Sequence, residues 1–437
     1  MVFHRLRRLR AAGLLVALLA AQQAAAFDIR ELGLPGISFP DPFPVVNAHN
    51  RGNINRVGPD DYFFFSTHNK RLALRGGFAG APAELPVTLE NGRDFDLSYL
   101  EQRSDPDRIA IDGRLWAKNA YYDPDTSCNW HMAASARLVE RPGAGLGWPG
   151  GDKTIVVHLS PVYRADSPGG EGPLCADDPD PGNVQQEFDR IEGWRVDDIL
   201  VGDIGADRPW RYSDFANYAG KYYRDETGDL YLIYTRKIPE NGMGIVAQRM
   251  VRPRQRAPEP PVTLIESDRR LTSEYRNGPG RYKMQILETG NILKIPGAGG
   301  GRWVLLYSVG DFRRRNYKIG VAYAEAMTGR YRKVLVPDAA DVWRSSHPGG
   351  KEVKYLIQSQ HPDWDNYQSA VTAPGVPSII RDGAAYFLVF AGYDSSARPD
   401  ATGAYDPAER RAFIAPLEVD IDNPDPARRI RIKGAPD

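Results

Sequence analysis

Short apolar segments, each followed by a polar turn and then by a strand carrying two or three aromatic residues, recur along this chain. The pattern predicts paired strands at Phe43–Asn47 and Asp61–Thr67, at Asn119–Asp123 and Trp130–Ala136, and at Lys221–Asp225 and Asp229–Thr235. Two more copies follow, one beginning at Asn291–Ile295 with Trp303–Ser308 and Tyr317–Ala324, the other at Pro377–Asp382 with Ala385–Ala391. A further apolar strand is expected after several of them, at Lys153–Ser160, Gly244–Val251 and Ala412–Asp420. Runs of this length, rich in β-branched and aromatic residues and bounded by Gly, Pro and Asp, read as strands and not helices. Five repeats of three or four antiparallel strands imply an all-β fold, a five-bladed β-propeller. The repeats stand roughly 70 to 100 residues apart, longer than common propeller repeats, so the excess is assigned to loops such as Asp166–Asn183, Arg252–Pro261 and Ser395–Ala408.

The amino terminus departs from the pattern. Arg5, Arg7, Arg8 and Arg10 precede the apolar run Ala11–Ala21 and the small residues Ala24, Ala25 and Ala26. That is the layout of a secretory signal peptide over residues 1–26, its apolar part too short to span a membrane. Residues 27–437 are then expected to be one propeller domain, secreted or periplasmic, soluble and monomeric. Without the four leader arginines, 52 basic side chains face 56 acidic ones. A slightly acidic chain lacks the electrostatic footprint of a nucleic-acid binder. Cys128 and Cys175 are the two cysteines. In an exported chain they are expected to form a disulfide that pins the long insertion. Neither has the His or Asp spacing of a metal site, and no cofactor is expected.

Glu288 stands just ahead of a strand and among Ile286, Leu287 and Ile292, an apolar setting that raises a carboxyl's pKa. In the first repeat, Asp41 precedes Pro42 at the equivalent end of its strand. The innermost strands of a propeller all face one axial pocket, so residues far apart in sequence can meet there.

At this point the chain resembles a known family. Phe39-Pro40-Asp41-Pro42-Phe43-Pro44 followed by Asp61–Ser66 resembles the opening blade of the family 43 glycoside hydrolases, the arabinanases, arabinofuranosidases and xylosidases, and of the related fructosidases. Leu115-Trp116-Ala117-Lys118 is similar to their second-blade L-W-A-P, and Leu287-Glu288-Thr289-Gly290 to their fourth-blade E-G-P. Ala373-Pro374-Gly375-Val376 is similar to their fifth-blade G-P-G-H. The resemblance implies a glycosidase acting on a pentofuranose- or fructose-containing carbohydrate, arabinan-type first, with Asp41 as general base, Glu288 as general acid and an inverting course. It puts Ala219 where the family's third carboxylate stands and Val376 where a His near an axial ion often stands. Asp214 is the first substitute for the third carboxylate, and Trp116, Asn119, Trp210 and Asn217 are the candidate sugar contacts. A propeller that has lost catalysis and binds glycans is the alternative.

Overall fold

The structure, a computed structural model, describes residues 29–32, 38–48, 55–57, 61–67, 70–74, 78, 87–91, 94–148, 151–164, 181–202, 204, 216–238, 242–267, 275–278, 281–284, 286–336, 352–359, 368–369 and 371–434. Five sheets of four to six strands follow one another along the chain as the blades of a β-propeller. Their innermost strands are Phe43–Pro44, Ile109–Asp123, Asn217–Arg224, Leu287–Ile295 and Thr372–Asp382. The expected strands are all present, most of them longer than the hydrophobic runs that announced them.

The aromatic strands do not alternate apolar with polar because both faces of a blade are buried against neighbouring blades. In Tyr62–Phe65 every side chain is buried. Phe63 and Phe65 pack into a cluster with Trp130, Phe188 and Trp194 of the second blade. Tyr62 and Phe64 turn the other way, onto Ile380, Val389 and Ile414 of the fifth. The fourth blade repeats the division. Leu305 and Tyr307 face Ile233 and Ile245, whereas Val304 and Leu306 face Ile379, Leu388 and Phe390.

The ring is closed by the start of the chain. Arg30 pairs with Ile414 and Glu31 with Phe413, so Arg30–Glu31 becomes the outer strand of the fifth blade. The Leu32 N–H donates to the Ala412 carbonyl at 2.8 Å, and Arg411 lies 3.2 Å from Glu31 and 2.5 Å from Asp394.

Two features differ from expectation. The end of the predicted loop 166–183 is the first turn of a helix, Pro181–Arg190, whose Val184 and Phe188, one turn apart, are buried. It leads into Ile191–Val201, a fourth strand of the second blade that the aromatic pattern did not announce. The second difference is the position of Glu288, which lies inside the strand Leu287–Ile295 and not ahead of it.

That displacement has a backbone cause shared by all five blades. Asp41, Ala117, Ala219, Thr289 and Val376 have φ of 57°, 52°, 55°, 56° and 53°, a left-handed residue near the inner end of each blade, and the fifth blade has a second at Ala373, with φ of 51°. Such a conformation costs a non-glycine residue about 1–2 kcal/mol, and it is held here from the neighbouring blade. The N–H of Ala219 donates to Ser135 Oγ at 2.9 Å, that of Thr289 to Thr235 Oγ1 at 3.0 Å, and that of Val376 to Ser308 Oγ at 2.7 Å. The strand pairing shifts register at these points, between Tyr218 and Lys221 and between Glu288 and Asn291. Each shift re-aims the residue before the left-handed one toward the axis.

Candidate active site

Asp41 sits at the left-handed position of the first blade. Thr67 Oγ1 donates to its Oδ2 at 2.9 Å, and Arg410 Nη1 donates to its Oδ1 at 2.9 Å. The Asp41 side chain is 20% exposed and the Arg410 side chain 3%, so the carboxylate opens on the site while its cation lies behind it. Arg410 is clamped by aromatic rings, its guanidinium carbon 5.5 Å from the Phe312 centroid and 5.2 Å from that of Tyr317. Its Nε and Nη2 are buried with no hydrogen-bond partner among the described residues.

Glu288 is half-buried and holds two phenols. Tyr317 Oη donates to Oε1 at 2.6 Å and Tyr218 Oη to Oε2 at 2.7 Å. Burial pushes the carboxyl above its ordinary value; the two phenol hydrogen bonds pull it down, the charge of Asp41 pushes it up again, and Arg410 opposes. The net direction is upward. Burial, with the charge of Glu288 next, also drives the pKa of both tyrosines well above the usual phenol value, so they remain donors. Tyr317 reaches Glu288 because the fifth blade gives way to it: a Cβ on Gly375 would lie 1.8 Å from the Tyr317 ring. One chain of contacts therefore runs from Asp41 through Arg410 and Tyr317 to Glu288.

Sequence reasoning missed Thr67, Tyr218, Tyr317 and Arg410. No sequence signal marked them, and the backbone relates one of them to Glu288. Tyr218 precedes left-handed Ala219 as Glu288 precedes Thr289, so the third blade presents a phenol where the fourth presents its acid.

The remaining candidates divide. Trp116, the corresponding residue of the second blade, is half-buried with its ring 5.1 Å from that of Tyr218, at the edge of the axial cluster. Asn119 has another part from the expected sugar contact. It is 1% exposed, its Nδ2 donates to the Pro44 carbonyl at 3.1 Å, and its Oδ1 accepts from the Tyr222 N–H at 3.2 Å. Asn291 does the same two blades further on, accepting from the Ile379 N–H at 3.0 Å. These amides tie blades together, which explains why an asparagine is buried at both places. Asn217 is likewise buried, at 2%, within its inner strand. Asp214 and Trp210 lie outside the described residues, as does Cys175, whereas Cys128 lies in the turn between the first two strands of the second blade. Among the described residues no group of three or more His, Cys, Asp and Glu side chains is placed to hold a metal ion.

Two carboxyls whose surroundings differ, one bonded to a guanidinium and one pushed toward its protonated form, are the arrangement from which a general base and a general acid are made.

No family model matches the chain, and no curated protein matches it in sequence. Solved structures do. An α-L-arabinofuranosidase from Lactobacillus brevis is 15% identical with a TM-score of 0.50, covering 89% of this chain and 93% of its own. A thermostable family-43 glycoside hydrolase is 17% identical with a TM-score of 0.50, covering 93% and 96%. A xylan β-1,4-xylosidase from Bacillus halodurans C-125 is 13% identical with a TM-score of 0.51 over 93% of this chain and 57% of that one. These likenesses are in the fold, and the chain has the β-propeller architecture of the family-43 glycoside hydrolases.

Proposed function

We propose that the protein is a glycoside hydrolase, with Asp41 the general base and Glu288 the general acid. The observation that carries this reading is the joining of these two carboxyls, 247 positions apart in the chain, through Arg410 and Tyr317 at the inner ends of the first and fourth blades. Hydrolysis of a glycosidic bond passes through an oxocarbenium-like state and needs one carboxyl to protonate the leaving oxygen and another to activate water or to attack. Glu288, raised by burial, suits the first task. Asp41, bonded to Arg410 and 20% exposed, suits the second. The titles of the similar structures name arabinofuranosidase and xylosidase activity, which favours pentose-containing glycans, arabinan-type first. An inverting course, export through the leader 1–26, a single domain over 27–437 acting as a monomer, and Asp214 as third carboxylate belong to the same proposal.

One observation favours a second reading, that of a glycan-binding propeller without catalysis. Ala219 stands at the left-handed position of the third blade, and its methyl belongs to the axial apolar cluster. The decisive experiment is a screen of the secreted protein against arabinan, arabinogalactan, xylan and levan for released reducing sugar, with Asp41→Asn and Glu288→Gln in parallel. Release by the wild type alone supports the enzyme; retention of a glycan with no release from any of them supports the binder.

A further inference from the structure

Two lysines inside the ring have no part in the reading above. Lys118 follows left-handed Ala117 on the second blade, and Lys221 stands two residues after left-handed Ala219 on the third. Each is 1% exposed. Lys118 Nζ donates to the carbonyls of Ser66 at 2.8 Å and Thr67 at 3.3 Å. Thr67 is the residue whose hydroxyl holds Asp41. Lys221 Nζ has no hydrogen-bond partner among the described residues and lies 4.8 Å from the ring centroid of Phe43, two residues beyond Asp41. A chain selected for stability alone has no reason to keep an ammonium there, because burying a cation without a paired anion is costly.

We propose that Lys118 and Lys221 are positioning residues for Asp41, which fix its segment from the second and third blades and, when protonated, favour its ionised form. The proposal rests on the reading of Asp41 as base. Arg410 is the one cation bonded directly to the carboxylate, and a second direct ion pair would occupy the lone pairs that must accept a proton from water. Cations held a shell further back act through the field alone, and the field strengthens once a ligand displaces water from the site. The charged and titratable groups that bear on Asp41 are Arg410, Lys118, Lys221, Glu288 and Tyr393. For both lysines burial is the larger influence, bringing each down to about 7, and the charge of Asp41 acts against it. That coupling is reciprocal: what Asp41 does for the ammonium, the ammonium does for the carboxylate.

The test reads the coupling without needing turnover. In the full-length protein carrying 13C-labelled aspartate and lysine, the Asp41 carboxyl is titrated in wild type, Lys118→Met and Lys221→Met. Methionine keeps the length and the apolar stem. Each substitution should move the Asp41 midpoint up by about one pH unit, and Asp41→Asn should move both lysine midpoints down. An unchanged Asp41 midpoint in folded Lys221→Met, or unchanged lysine midpoints in Asp41→Asn, overturns the proposal. On any glycan the wild type hydrolyses, the acidic limb of kcat/KM should shift up in the lysine variants with KM little changed, an effect a purely structural role would not produce. Coupled titrations in a protein that hydrolyses no glycan would retire Asp41 as base and leave the lysines as its electrostatic partners.

Discussion

Glu288 shows how the same contacts tune and position a group. The hydroxyls of Tyr218 and Tyr317 stabilise its ionised form, so each works against the burial that raises its pKa. Removing either, in Tyr218→Phe or Tyr317→Phe, should raise the Glu288 pKa and move the alkaline limb of the rate profile to higher pH by up to about one unit, since 1.4 kcal/mol is one pKa unit and a hydrogen bond to a charged group is of that size. A limb that stays in place or moves down would mean that another group sets it. Lys221 has a different consequence. Its folded pKa, about 7, lies below the ordinary lysine value of 10.5, so the unfolded chain binds more protons between those limits and stability should rise as pH climbs through that window. Lys221→Met should raise stability at pH 7 by about 1–4 kcal/mol and flatten that slope, as denaturant melts across pH would measure. Legibility at this scale was uneven. Asp41 and Glu288 were singled out beside a proline and in an apolar run, and the structure links the two through Arg410 and Tyr317; Arg410 could not be singled out, since nothing about Glu409-Arg410-Arg411 distinguishes the buried arginine from its half-buried neighbour.

At the scale of the strand, the recurring device is a left-handed residue on the inner strand with its N–H satisfied by a hydroxyl of the preceding blade. The hydrogen bonds of Ala219, Thr289 and Val376 to Ser135, Thr235 and Ser308 are equivalent ties. Thr235→Val keeps the shape and leaves the buried Thr289 N–H unpaired, one residue from Glu288. It should cost about 1–3 kcal/mol of stability and lower activity more than a loss of stability explains; a variant as stable as wild type would show that the hydroxyl carries nothing. Strand pairs were legible because the hydrophobic runs are short and aromatic. The left-handed positions were not, because Ala117, Ala219 and Val376 are not residues that favour that conformation, and only the neighbouring blade imposes it. The misplacement of Glu288 ahead of its strand followed directly, because the register shift between Glu288 and Asn291 lets the strand begin earlier than its apolar run.

At the scale of the molecule, five blades, their order and the axial meeting of first and fourth could be read from the repeat alone. The closing strand Arg30–Glu31 and the fourth strand Ile191–Val201 could not, since two residues make no pattern and the second follows an insertion. That insertion holds Cys175, outside the described residues, and a disulfide from it to Cys128 is proposed, which would close the chain from 128 to 175. Closing a loop of this length would stabilise the domain by about 4 kcal/mol in the chain-entropy view. Thiol titration of the unfolded, unreduced protein should find none free, and two free thiols would refute the bridge.

The central claim is that Asp41 and Glu288 work as a base and acid pair on a glycosidic bond. Its most direct measurement is the rate of reducing-sugar release from arabinan by wild type, Asp41→Asn and Glu288→Gln, each shown to be folded. The account predicts release by the wild type and a loss of about a thousandfold or more in each variant, since each of the two groups acts in the transition state itself. Wild-type rates in either variant would contradict it.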